Sequence, residues 1–76
     1  MSYLDFKEMP APVGRKTKIF AVLNTLAKIP LGTVKFHSVW RKYIFWPEKD
    51  CGFDDGCMIE IVEFVREQTS KWRESL

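Results

Sequence analysis

Polar and apolar residues alternate along Thr33–His37, with Val34 and Phe36 on one side and Thr33, Lys35 and His37 on the other. This two-residue period is that of a β-strand with one buried face. Upstream, Lys16–Asn24 reads KTKIFAVLN, a short run of strand formers with Ile19, Ala21 and Leu23 on one face and Phe20 and Val22 on the other. A helix over Ala21–Lys28 is the rival reading, which Pro30 and Gly32 would stop early. The segment Ile29–Gly32 is expected to turn the chain between the first two strands. Ser38 and Val39 then centre a tight connection, and Trp40–Trp46 returns as a third strand until Pro47 removes a ladder donor.

The pattern changes period after residue 53. Asp54 is placed to cap a helix by accepting from otherwise unpaired first-turn amides. Phe53 and Met58 would close over that cap as a hydrophobic staple. Met58, Ile61, Val62, Val65 and Trp72 form an apolar stripe widened by Cys57 and Phe64, while Glu60, Glu63 and Glu67 lie opposite. This predicts an amphipathic helix of about four turns. Glu67 and Lys71 have the favourable i, i+4 order.

Residues 1–15, with Pro10, Pro12 and Gly14, hold no sustained period and are expected to form an irregular N-terminal arm. Tyr3, Leu4, Phe6 and Met9 of that arm remain available for packing. Residues 16–76 then form one α+β domain, a three-stranded antiparallel β-meander packed against one C-terminal α-helix, in the order β-β-β-α. The third strand does not resolve its own faces. Tyr43 and Phe45 occupy one and Trp40, Ile44 and Trp46 the other, whereas one helix covers only one. The remaining rings must be exposed, covered by the arm or buried in an oligomer.

Composition sharpens this surplus. A chain of 76 residues is close to the lower limit for a self-sufficient core, and three Trp, two Tyr and six Phe supply area with few rotors. No uninterrupted apolar stretch approaches a membrane span, and the charged, proline-containing start is unlike a secretory signal, so a cytoplasmic protein is expected. Cys51 and Cys57 lack the paired spacing of a zinc site and read as free thiols, with a strained local disulfide as the alternative. Charge is uneven: nine of the twelve Lys and Arg, but four of the ten Asp and Glu, lie in residues 1–50. Such asymmetry points to an electrostatic binding face.

Reactive groups are sparse. His37 is the single histidine, and Ser38 would project to the opposite face of a continuing strand, so the two do not make a dyad. Cys57 near a helix start has no base partner in sequence, and burial under the helix is its expected fate. Asp50, Asp54 and Asp55 fail a calcium-loop comparison: counted from Asp50, Gly52 takes the third place, Asp55 the required glycine and Ile61 the terminal glutamate. No glycine-rich phosphate cradle occurs. The expectation is a non-enzymatic protein without metal, cofactor or small-molecule substrate.

Binding is the remaining class. Lys35–Pro47 reads KFHSVWRKYIFWP, interleaving basic and aromatic residues. Lys35, His37 and Lys42 beside Trp40 and Trp46 would give a basic platform with rings that stack on unpaired bases. Lys18 and Arg41 join this candidate surface, and Arg15 and Lys16 extend its basic edge. The alternative is a protein interface or homodimer through the same aromatics, since Trp, Tyr and Arg dominate binding hot spots. An RNA-recognition Gly–aromatic signature is missing, and the last helix starts acidic rather than basic.

The segment LGTVKFHSVWRKYIFWPEKDCGFDDGCMIEIVEF resembles a group of small, uncharacterised, phage- or prophage-associated proteins with a pattern near LGxIxWxxxWRxYxFxP, a phenylalanine–aspartate helix start and a Cys–hydrophobic pair. The resemblance spans residues 17–66. It runs through Leu31, Gly32, Trp40, Arg41, Tyr43, Phe45, Pro47, Phe53 and Cys57, with Phe36 for the usual tryptophan and Met58 for the usual leucine. It implies a compact accessory protein and supplies no catalytic residue.

Overall fold

The computed structural model describes residues 3–10, 14 and 16–76. Four strands, β1 (Leu4–Met9), β2 (Ile19–Asn24), β3 (Pro30–His37) and β4 (Lys42–Pro47), precede one helix, α1 (Asp55–Glu74). The strands form one antiparallel sheet in sequence order, so the meander has four strands rather than three. The additional strand lies in the expected irregular arm. Its pattern is short, but Leu4 and Phe6 face the same side as Val22 through the pairings Leu4↔Asn24 and Phe6↔Val22. Pro12 and Arg15, which were expected to keep the arm irregular and to extend the basic edge, lie outside the described residues.

Two connections differ from the sequence expectation. The β2–β3 turn lies at Thr25–Lys28, not at Ile29–Gly32: the Asn24 side chain accepts from the amides of Leu26 and Ala27, both at 2.9 Å, and Lys28 takes a positive φ of 58°. A short polar side chain thus substitutes for backbone partners in the turn, and Pro30–Gly32 is released to begin β3. Leu31 is an extra residue between the pairings Leu23↔Pro30 and Val22↔Gly32, a bulge that accommodates proline at the strand start. The β3–β4 turn takes in Ser38 and Val39 as expected but extends through Arg41, so Trp40 belongs to the turn and β4 starts at Lys42.

Helix α1 spans 20 residues, longer than about four turns. Asp54 caps it, its carboxylate accepting from the Cys57 amide at 2.8 Å. The face turned to the sheet carries Cys57, Ile61, Phe64, Val65, Gln68, Thr69 and Trp72. That stripe is rotated from the expected one: Met58 and Val62 are 51% and 46% exposed. Phe53 packs edge-on against Phe45, ring centres 5.2 Å apart, and does not need Met58 as a staple partner.

Ring contacts decide how the layers meet. Phe6 stacks on Phe64 at 4.1 Å, Phe20 meets Phe64 edge-on at 4.9 Å, and Phe36 lies 4.6 Å from Trp72. Val22 and Val34 are fully buried between them, and Leu4, Phe20, Tyr43 and Ile61 complete the core. Tyr43 and Phe45 therefore take the helix side. The opposite face, with Ile44 and Trp46 of β4 on it, lies against no helix of the fold. Among the described residues no helix is long and apolar enough to cross a membrane.

Gly32 is required by this packing and not by its backbone angles. A Cβ built there would lie 2.5 Å from Phe45 Cε1 and 2.7 Å from the Trp46 carbonyl oxygen, so the Phe45 ring lies over the missing side chain. We predict that Gly32→Ala lowers the unfolding free energy by about 1–3 kcal/mol, because the Phe45 ring and the β4 backbone at Trp46 must both shift. Urea denaturation followed at 222 nm measures this; an unchanged midpoint would show that the ring and the β4 backbone both give way freely. A second prediction concerns the cap. The Cys57 amide holds the Asp54 carboxyl below its ordinary value of 3.8, so its contribution is present above that value and is lost as pH falls through the lower folded value. Asp54→Asn keeps an acceptor without titrating there. The variant should lose less stability than the parent on acidification from pH 5 to about pH 2, and parallel acid limbs would rule the cap out as their source.

Candidate functional site

The sheet face turned away from α1 is organised in rows by strand register. One row reads Met9, Ile19, Lys35, Ile44 and the next Lys7, Ala21, Thr33, Trp46. Ala21 and Thr33 are the small members of the second row, next to Trp46. His37 and Lys42 form a further pair at the end of β3 and β4.

The β3–β4 turn folds Trp40 back toward this face. The His37 carbonyl accepts from the Arg41 amide at 2.8 Å, and His37 Nδ1 accepts from the Trp40 amide at 3.2 Å. Arg41 takes the left-handed conformation, φ 56°, that closes the turn. The His37 ring then lies 4.6 Å from Trp40 and 6.0 Å from Trp46, at interplanar angles of 30° and 21°. Lysines flank both ends. Lys35 Nζ sits 4.8 Å from the Trp46 ring centre and Lys42 Nζ 6.0 Å from that of Trp40.

The result is a ladder of roughly parallel rings in the order Trp46, His37, Trp40, with an ammonium at each end. Trp40 is 61% exposed and Trp46 40%, so planar surface remains accessible. The members of β3 and β4 on this face, Thr33, Lys35, His37, Lys42, Ile44 and Trp46, include no carboxylate. On β1, Asp5 is held by Lys28 at 2.8 Å. A cation over an indole face contributes about 0.5–1 kcal/mol when exposed. An incoming ring could displace either lysine from its tryptophan and leave the ammonium free to pair with an anion.

Five of the seven sequence-derived residues thus come together: Lys35, His37, Trp40, Lys42 and Trp46. Arg41 and Lys18 do not join them. The Arg41 guanidinium lies 5.5 Å from the Trp72 ring, over the end of α1. Lys18 gives its amide to the Tyr43 hydroxyl at 3.0 Å, and its ammonium lies 3.8 Å from Glu8, on the helix side of the sheet. Strand parity accounts for Lys18, which alternates in phase with Phe20; the left-handed turn accounts for Arg41.

A second concave surface was not read from the sequence. A groove of about 670 Å³ runs between β4 and α1, with Ile44 and Phe45 on one wall, Val62 and Val65 on the other, and Lys42, Arg66 and Arg73 among its lining groups. Its signal was the i, i+4, i+7, i+11 series Val62, Arg66, Thr69, Arg73, masked because Val62 was assigned to the core.

The remaining reactive groups are not gathered. Cys51 and Cys57 are free thiols. Burial, then the Asp54 carboxylate, raise the Cys57 thiol above its ordinary value of 9.0, opposite to the shift that activates a nucleophile. Among the described residues no three His, Cys, Asp or Glu side chains converge where they could hold a metal ion. No protein-family model, curated protein or solved structure matches this chain.

Proposed function

We propose that the chain is a small non-enzymatic module that binds single-stranded nucleic acid on the sheet face turned away from α1. The observation that carries this reading is the ring ladder, Trp46, His37 and Trp40, bracketed by Lys35 and Lys42. Unpaired bases would stack on the exposed indoles, and the lysines would neutralise the phosphates between them. A duplex hides its base faces, so the rings favour a single strand. The resemblance to phage-associated small proteins is compatible with such an accessory role. Enzymatic chemistry has little support, since the sole histidine serves the turn and the Cys57 thiol is disfavoured as a thiolate.

One observation favours a second reading, docking of a protein or a second copy on the same face. Met9, Ile19, Leu23 and Ile44 add aliphatic surface beside the rings. Salt dependence separates the two, because phosphate contacts weaken steeply as salt rises and apolar docking does not.

Titration of Trp fluorescence with a mixed-sequence oligonucleotide at low salt tests the first reading. Binding in the micromolar range should weaken for Trp46→Ala by about 1–3 kcal/mol, the contribution of one stacked base. Lys35→Glu with Lys42→Glu should also flatten the dependence of log K on log salt. If fluorescence and mobility stay unchanged at tens of micromolar with both single-stranded and duplex probes, nucleic-acid binding is wrong. Salt-insensitive dimerisation lost in Trp46→Ala would install the second reading instead.

A further inference from the structure

We propose that the groove between β4 and α1, which shares Trp40 and Lys42 with the ring ladder, is a second docking site that takes an extended acidic peptide as a fifth strand of the sheet. The argument starts from the backbone. In an antiparallel ladder, alternate residues turn their N–H and C=O groups toward and away from the neighbouring strand. The Tyr43 amide points outward, because it donates to Thr69 Oγ1 of α1 at 3.0 Å. Phe45, two residues on, is in the same phase. On the other side of the alternation, the Glu48 amide donates inward to the Leu31 carbonyl at 2.9 Å.

The outward edge of β4 is therefore unevenly guarded. Thr69 caps the Tyr43 amide, and Pro47 has no amide proton to offer. Between these two stops lie the Tyr43 carbonyl and both polar groups of Phe45, for which no acceptor or donor is found among the described residues. An extended segment can satisfy donors and acceptors together, which is the basis of strand addition to an exposed edge.

The groove beside this edge specifies what kind of segment fits. Its walls are apolar through Ile44, Val62 and Val65, and its charged lining groups are Lys42, Arg66 and Arg73, with no carboxylate among them. This is notable on a helix that also carries Glu60, Glu63, Glu67 and Glu74. On an added strand one set of alternate side chains faces α1, where acidic groups would meet Arg66 and Arg73, and the other set faces away from it, where apolar groups would continue the row of Ile44. A second copy of this chain fits poorly, because an isologous contact through the edge brings the same cations onto their own copies. Nucleic acid fits poorly as well, since a phosphodiester has no donor for the Tyr43 and Phe45 carbonyls.

The probe is a capped octapeptide alternating glutamate with valine, added to the full chain labelled for amide hydrogen exchange by NMR. The Phe45 amide should gain protection of about tenfold or more on saturation near 1 mM peptide. A peptide with lysine in place of glutamate, and one N-methylated at alternate backbone nitrogens, should not give this protection. Arg66→Glu with Arg73→Glu, both on the exposed side of α1, should weaken binding by about tenfold while the far-ultraviolet spectrum is retained. Trp46→Ala should bind the peptide like the parent, which separates this site from the open face. Absence of Phe45 protection at that concentration, or equal binding of the lysine or N-methylated peptide, would overturn the proposal. So would sedimentation showing a dimer whose formation protects Phe45 without peptide.

Discussion

A single helix on one face of a four-stranded sheet is the constraint from which the rest of this structure follows. The helix holds its position through rings: Phe64 engages Phe6 and Phe20, and Trp72 engages Phe36. Once these pairs are made, strand parity leaves no freedom in the neighbouring strands. Tyr43 and Phe45 must turn to the helix, Ile44 and Trp46 away from it, since a one-residue slip would reverse every side chain. Gly32 is part of the same solution, because its missing side chain is the space that the Phe45 ring occupies.

The two candidate surfaces are consequences of that one-sided packing and differ in chemistry. On the open face, planar rings and lysines are presented together, with the polar backbone of the interior strands already paired. In the β4–α1 groove, the outward Phe45 amide and carbonyl, without a partner among the described residues, lie beside aliphatic walls and cations. The first arrangement suits a ligand that offers flat rings and a negative backbone. The second suits one that offers peptide groups. Arg41 and Lys18 serve the folded state, one over Trp72 and the other through its amide on the Tyr43 hydroxyl.

Much of the fold was legible wherever the signal is local. The Asp54 cap depends on a carboxylate and an amide three residues away, and the faces of Thr33–His37 depend on simple alternation. Where the fold departs from the local pattern, two local rules compete. Pro30 and Gly32 look like a turn, but Asn24 supplies a better one and the proline sits beside a bulge. β1 carries a weak local signal, since only Leu4 and Phe6 mark its buried side before Glu8 breaks the alternation, and it is held by pairing with β2 and by Phe6 stacked on Phe64. The apolar stripe on α1 is broad enough to permit two rotations. Contact with the rings of the sheet selects the one that exposes Met58 and Val62.

By itself the sequence determined that the chain alternates strands before one capped helix, that its aromatics exceed what one buried layer can hold, and that its basic residues cluster ahead of its acidic ones. These properties reside in period, residue type and spacing, and need no knowledge of neighbours in space. Only the tertiary structure decided which rings were surplus, that Trp40 and Trp46 share a ladder through His37, and that Arg66 and Arg73 line a groove beside an open strand edge. Those outcomes depend on how a helix rotates against a sheet and which way a left-handed turn aims its side chains. Such choices are settled by packing between residues distant in sequence, whose energies no local pattern contains.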